Sequence, residues 1–299
     1  MTKFRPCIDL HDGKVKQIVG SSLSDSGAGL QTNFETDRSS AWFAELYKKD
    51  GIKGGHVIML GKGNESAAKD ALSAYPGGLQ VGGGINAQNA QEYIEAGASH
   101  VIVTSWIFPE GRLDRERLAE LVKTVGKEHL VLDLSCKETG HIYQDFDGKT
   151  HKVYGKRVEN PEGYSGPLYN SKTLDESQMA RIISPIWKIT TNRWQTIIDI
   201  EITKETLEDL AQYCDEFLVH AADVEGKQQG MDEALIMFLA ENSPIPVTYA
   251  GGAKTLMDLE QCRLFSKGKV DLTIGSALDL FGGKGVKYDD CVRFNKAQG

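Results

Sequence analysis

Along the whole chain, short apolar runs of three to six residues alternate with stretches in which apolar positions recur at helical spacing. This alternation is the pattern of βα units feeding a parallel sheet. It predicts strands over 4–9, 56–60, 79–81, 100–103, 130–133, 216–220, 247–249 and 271–274. The intervening helices are predicted over 39–50, 67–74, 87–96, 113–125, 204–212, 231–241 and 256–266, with a terminal one over 289–295. Eight such repeats predict an α/β protein, a single (β/α)8 barrel over 1–299, with its site at the C-terminal ends of the strands.

One pattern occurs twice in this series. The first half reads Cys7-Ile8-Asp9, then Val81-Gly82-Gly83-Gly84-Ile85, then Val103-Thr104-Ser105; the second reads Val131-Leu132-Asp133, then Tyr249-Ala250-Gly251-Gly252-Ala253, then Ile274-Gly275-Ser276. The barrel is therefore expected to be built from two similar halves. Asp9 to Gly83 spans 74 positions and Asp133 to Gly251 spans 118, so the second half carries about 44 additional residues. These lie after the fifth strand, approximately over 138–190, where Gly, Tyr, Asn and Pro crowd segments such as 159–167. The expectation is an irregular excursion, a lid or a surface elaboration, whose returning end at 191–195 comes back over the site. A second Ser- and Gly-rich stretch, 21–36, is expected to be a flexible flap.

Composition narrows the partners. The chain has 299 residues, 40% of them hydrophobic, and a formal charge of −8 from 42 acidic and 34 basic side chains. This balance argues against nucleic acid or an anionic membrane as partner, and no apolar run approaches the roughly 18 residues of a membrane span. Five scattered cysteines without a Cys-x-x-Cys pair, and no apolar signal segment ahead of residue 4, read as a reduced protein of the cytoplasm.

The repeated pattern carries the candidate chemistry. Bare backbone at Gly83, Gly84, Gly251 and Gly252 lets the chain approach an anion closely, and a helix starting just beyond would aim unpaired N–H groups at it. Thr104-Ser105 and Gly275-Ser276 complete the two cups. Each charge-assisted hydrogen bond there is worth roughly 1.5–3 kcal/mol. A single glycine cluster reads equally well as a tight turn; its repetition favours a small-molecule ligand with a phosphate at each end. Asp9 and Asp133, closing strands one and five, would face one another across that ligand and divide acid and base work, provided one stays protonated. No local metal-ligand spacing and no cofactor fingerprint is present, so neither metal nor cofactor is expected. His56 reads as structural, whereas His220 ends the sixth strand and is a candidate for touching ligand.

The segments from Arg5 to Val15, from Gln80 to Ile85, His220-Ala221-Ala222-Asp223-Val224-Glu225-Gly226 and Thr248-Tyr249-Ala250-Gly251-Gly252-Ala253 resemble the histidine-biosynthesis barrels that isomerise phosphoribosylformimino-5-aminoimidazole carboxamide ribotide (ProFAR), most closely the fungal and plant branch. The resemblance implies an Amadori rearrangement of an aminoaldose to an aminoketose, with Asp9 as base, Asp133 as acid and a monomeric enzyme. Glu225 is a rival for the acid. Trp194 resembles the loop tryptophan that stacks on the substrate base, with a packing anchor as its alternative. The chain departs from the bacterial pattern at Met59-Leu60-Gly61, Asn86, His220 and Glu225. The rival activities are the sister cyclase that forms the imidazole ring, phosphoribosylanthranilate isomerisation on a one-phosphate substrate, and a catalytically inactive sugar-phosphate sensor.

Overall fold

Pro6 divides the first strand, and that division shapes the sheet. Proline brings no N–H to a ladder. Phe4–Arg5 pairs in parallel with Val270–Thr273, the last strand. Cys7–His11, one residue on, pairs in parallel with Gly55–Met59 instead. One continuous run therefore lies beside both the last strand and the next, and the sheet curls. The computed structural model describes residues 1–18, 32–145, 147–155, 157–158, 168–169, 181–224 and 230–298.

From Phe4–Arg5 the sheet runs through Val270–Thr273, Val247–Ala250, Glu216–His220, Leu130–Asp133, His100–Val103, Leu79–Gly82 and Gly55–Met59 to Cys7–His11. Every pairing in that series is parallel. The result is a mixed α/β fold around a curled, parallel-rich sheet. Its strands at 100–103, 130–133 and 216–220 coincide with the expected ones, and the others shift by a residue or two.

The helices that cover the sheet follow their apolar spacing. In Ser40–Asp50 the buried residues are Ser40, Phe43, Ala44 and Tyr47, one stripe at i, i+3, i+4 and i+7. Ser39 caps its start by accepting from the Trp42 N–H, and Gly51 ends it at φ +72°, a conformation glycine adopts without strain. Full burial of Phe43 and Tyr47 contributes roughly 1.5–3 kcal/mol each. The Tyr47 hydroxyl donates to the Cys7 carbonyl at 3.1 Å, tying this helix to the strand that carries Asp9.

Inside the curl, Ile102, Val131, Leu218 and Ala250 form a small cluster separate from the main core. Towards the strand starts, buried Glu216 accepts from Gln80 Nε2 at 2.9 Å and Thr248 Oγ1 at 2.6 Å. A satisfied polar layer thus closes that end, and the strand C-termini open the other.

Two expectations change. Within the expected flap, 21–31 lies outside the described residues, but Thr32–Thr36 is a strand, antiparallel to Lys14–Ile18. Phe34 holds it against Phe281, ring centroids 5.9 Å apart, and Lys14 and Lys16 pair with Glu35. The excursion after the fifth strand is more regular than its composition suggests. Cys136–Gln144, Thr150–Tyr154, Arg181–Thr191 and Thr196–Glu201 make a four-stranded antiparallel sheet. Trp187 docks it on the helix Glu233–Asn242, packing on Phe238 at 5.6 Å and donating Nε1–H to Asp232 at 2.8 Å. Segment 159–167 lies outside the described residues.

Candidate active site

The strand carrying Asp9 runs two residues past it and turns back. Asp12 and Gly13, both at positive φ (+53° and +73°), form a two-residue hairpin loop of the kind that matches strand twist. The returning strand buries Val15 and Gln17 on one face, while Lys14 and Lys16 meet Glu35 on the other. Gln17 thereby reaches the aspartate: its Nε2 donates to Asp9 Oδ2 at 2.8 Å and contacts Cys7 Sγ at 3.5 Å. Sequence reasoning missed Gln17; the Asp12-Gly13 hairpin signal, followed by period-two alternation, was the clue to it.

Asp133 meets different company. Its Oδ1 accepts from the Ser135 N–H at 2.9 Å and the Ser135 hydroxyl at 2.7 Å, and lies 3.3 Å from His220 Nδ1. Its Oδ2 accepts from Thr104 Oγ1 at 3.3 Å. Burial alone would raise this carboxyl. The neighbouring His220, by charge and by hydrogen bond, and Ser135 together outweigh burial and hold it below the ordinary carboxylate value. This environment favours the ionised form of Asp133.

Asp9, Asp133, His220 and Trp194 all line one cavity of about 900 Å³. Gly83, Gly84, Thr104 and Ser105 line it from the first half, and Gly251, Gly252, Gly275 and Ser276 from the second. Glu225 lies outside the described residues. Gly83 sits at φ +97°, where a Cβ would run into the Met59 carbonyl, and Gly252 at φ +73°, where it would meet the Gly230 carbonyl. Both positions demand glycine. Lys62 and Arg193 also line the cavity and bring positive charge to an otherwise acidic chain.

The helix expected just beyond the first glycine cluster begins later and is short, Ala90–Glu95. Asn86 and Asn89 explain the delay. Their side chains already accept from the N–H groups of Gln88, Asn89 and Asn86, so the chain turns before it coils. The second cluster leads directly into Leu256–Phe265, where Asp258 accepts from the N–H groups of Lys254 and Thr255 at 2.8 and 2.7 Å.

The returning end of the excursion closes over Asp133. Asn192, Arg193 and Trp194 all hold positive φ (+52°, +54°, +64°), a run that costs of order 1–2 kcal/mol per residue. The hydrogen bonds that hold the turn include Asn192 N–H to Ser105 Oγ at 3.2 Å, Trp194 Nε1–H to Ser135 Oγ at 2.9 Å and Gln195 N–H to the Asn192 carbonyl at 3.2 Å. The Trp194 ring rests 5.7 Å from that of His220. His56, expected to be structural, lies 6.0 Å ring to ring from His220. Burial, reinforced by His220, pushes His56 down to about 3, so it is a neutral imidazole. Cys7, Asp9 and His56 also bring ligand-type atoms within 4.8 Å of one another, a donor set suited to a zinc-like ion. Local spacing does not reveal this trio, because the tertiary fold assembles it.

The comparisons with known proteins agree with this geometry. A family model described as "Histidine biosynthesis protein" matches residues 3–166 and 168–284. A chloroplastic protein of Medicago truncatula is 48% identical, over 99% of this chain and 82% of its own length. Relatives from Yarrowia lipolytica (47%; 99% of this chain, 98% of the relative) and Neurospora crassa (46%; 100% of each) are similarly close. All three are named 1-(5-phosphoribosyl)-5-((5-phosphoribosylamino)methylideneamino)imidazole-4-carboxamide isomerase. With the match covering nearly every element that builds the cavity, the chain belongs to the histidine biosynthesis protein family.

Proposed function

We propose that this chain is the isomerase that carries out the Amadori rearrangement of ProFAR to its ribulosyl form in histidine biosynthesis. The observation that carries the reading is that both repeats of the aspartate, glycine and hydroxyl pattern line one cavity. A substrate with a phosphoribosyl group at each end fits a cavity with a cup at each end. Protonation of the ribose ring oxygen breaks the C1–O bond and leaves a Schiff base. A base then takes the C2 proton, and the resulting enolamine gains a proton at C1 and loses one from the C2 hydroxyl, giving the ketone.

Asp9 is our base, and the acid lies at the Asp133 end of the cavity. Trp194 and His220 contact the substrate between the cups. The order of parallel pairings supports a closed (β/α)8 barrel of two similar halves, one domain over 1–299 with the antiparallel sheet as its excursion. We read it as a monomer acting on a small phosphorylated substrate, with no nucleic acid or membrane partner and no cofactor. Five buried cysteines fit a cytoplasmic setting. No helix among the described residues is long and apolar enough to cross a membrane.

The test is turnover of ProFAR by the purified chain without added metal or nucleotide, run in deuterium oxide. Conversion to the ketose is expected, with any solvent deuterium on the reacting carbons confined to C1, because C2 becomes the carbonyl. Binding without turnover would replace the isomerase with a sensor, and ring closure supported by an ammonia source would replace it with the cyclase.

A further inference from the structure

We infer that Cys7, Asp9 and His56 form a binding site for a zinc-class divalent cation, and that an ion held there blocks the enzyme by taking Asp9 away from the substrate. The blocking role rests on the isomerase reading above, in which Asp9 is the base. The cation site itself stands on the geometry alone.

The sheet puts the three side chains on one surface. Cys7 and Asp9 are two residues apart on one strand, so both project from the same face. His56 is the register partner of Cys7 on the neighbouring parallel strand, and all three residues line the cavity. The Cys7 sulfur lies 3.9 Å from Asp9 Oδ2, and the three donor atoms fall within 4.8 Å of one another. Around a tetrahedral zinc, bonds of about 2.0–2.3 Å put neighbouring donors roughly 3.3–3.6 Å apart. Side-chain rotation therefore has only about an ångström to close. Among the described residues, no other three Cys, His, Asp or Glu side chains converge in this way.

The surroundings are rigid and suit such an ion. Cys7 and His56 are 3% and 4% exposed. The His56 backbone N–H donates to the Pro6 carbonyl at 3.0 Å, and the Tyr47 hydroxyl donates to the Cys7 carbonyl at 3.1 Å, so both backbones are fixed before any ion arrives. Gln17 Nε2 donates to Asp9 Oδ2 at 2.8 Å. A carboxylate has two oxygens, so Asp9 can coordinate through one and keep the amide on the other. Sulfur and imidazole nitrogen select zinc-class ions over magnesium or calcium, which take oxygen ligands. Coordination releases the Cys7 thiol proton to solvent, and the thiolate together with the Asp9 carboxylate balances the two positive charges. The fourth tetrahedral position is left to water from the cavity.

An ion in this place engages the carboxylate that would accept the C2 proton and stands where the sugar must lie. Ion and substrate then exclude one another.

Cobalt(II) is the probe, because its visible spectrum reports coordination number and a thiolate ligand adds near-ultraviolet absorption. Titration of the full chain with cobalt(II) near neutral pH is expected to saturate at one ion per chain, with a four-coordinate spectrum and a thiolate band. Zinc, the stronger binder of the two, should abolish that band, magnesium should leave it, and Cys7→Ser should lack it. A spectrum without the thiolate band, or a band that survives in Cys7→Ser, overturns the site. In steady-state kinetics at low substrate, saturating zinc is expected to cut ProFAR turnover by about 10²–10⁴, the share of a general base. The inhibition should be competitive with substrate and reversed by a chelator. Measured against each variant's own rate, the zinc needed should rise at least about tenfold in Cys7→Ser and His56→Gln, since even an outer partner of a metal site is worth that much. Equal sensitivity of the three proteins overturns the blocking role. Failure of the wild-type chain to turn over ProFAR would sink the isomerase reading, while the cobalt spectrum would still decide the cation site.

Discussion

Asp9 and Asp133 occupy matched places in the repeated sequence pattern, but their surroundings differ. Asp9 receives a neutral amide, Gln17 Nε2 at 2.8 Å, beside the Cys7 thiol. Asp133 receives a serine N–H, two hydroxyls and an imidazole that can carry charge. The repeat supplies two carboxylates, and the strands around each decide its chemistry. A carboxylate that accepts from a neutral amide and one paired with an imidazole differ in how strongly their surroundings favour the ionised form. The difference traces to residues outside the repeated pattern, Gln17 on a hairpin strand and His220 on the sixth parallel one.

The largest effect expected on this comparison comes from removing the base. Asp9→Asn should lower kcat by about 10²–10⁴ in steady-state assays, and near-wild-type turnover would end the assignment. Next is the neutral histidine between the two sites. The His56 value of about 3 lies below the usual 6.5, so the unfolded chain binds more protons than the folded one between those values. Stability from this group is complete above pH 6.5 and falls by about 1.4 kcal/mol per unit as pH drops towards 3. Urea unfolding at pH 6.5 and 4.5 should show a shallower loss for His56→Gln, by about 2–3 kcal/mol across that interval. An unchanged slope would mean that His56 is not held neutral. Asp133 acts in a lower window, since its depressed carboxyl weakens the fold only as pH falls through and below the ordinary carboxylate value.

Smaller effects sharpen the contrast. Gln17→Leu leaves Asp9 without its amide donor, and loss of a hydrogen bond to a charged group costs about 1.5–3 kcal/mol. A fall in kcat of tenfold or more with little change in KM is expected; a change confined to KM would make Gln17 a substrate contact instead. Ser135→Ala removes one of the donors to Asp133 and the acceptor of Trp194. About 1 kcal/mol, several-fold in kcat, is expected, together with altered tryptophan fluorescence. A silent substitution would show that the 191–196 turn is held elsewhere.

Much of this molecule was legible in its sequence. The strands at 100–103, 130–133 and 216–220 appear where apolar runs announce them, because a strand covered on both faces must be apolar throughout. The paired glycine clusters were legible because positive φ and close carbonyl approach restrict the residue type. The antiparallel sheet after the fifth strand was not, because its half-exposed strands, such as Thr150–Tyr154, carry polar residues that also suit loops.

By itself, then, the sequence determined the order of βα units, the repeated pattern and the identity of the two aspartates that line the cavity. These depend on local periodicity and on backbone constraints that one residue can reveal. Only the tertiary structure decided which aspartate meets an amide and which an imidazole, and that Cys7 and His56 join Asp9. Those partners come from positions as far apart as 9 and 56 or 133 and 220. A hydrogen bond is satisfied by distance in space, which the curl of the sheet sets and which no local spacing records.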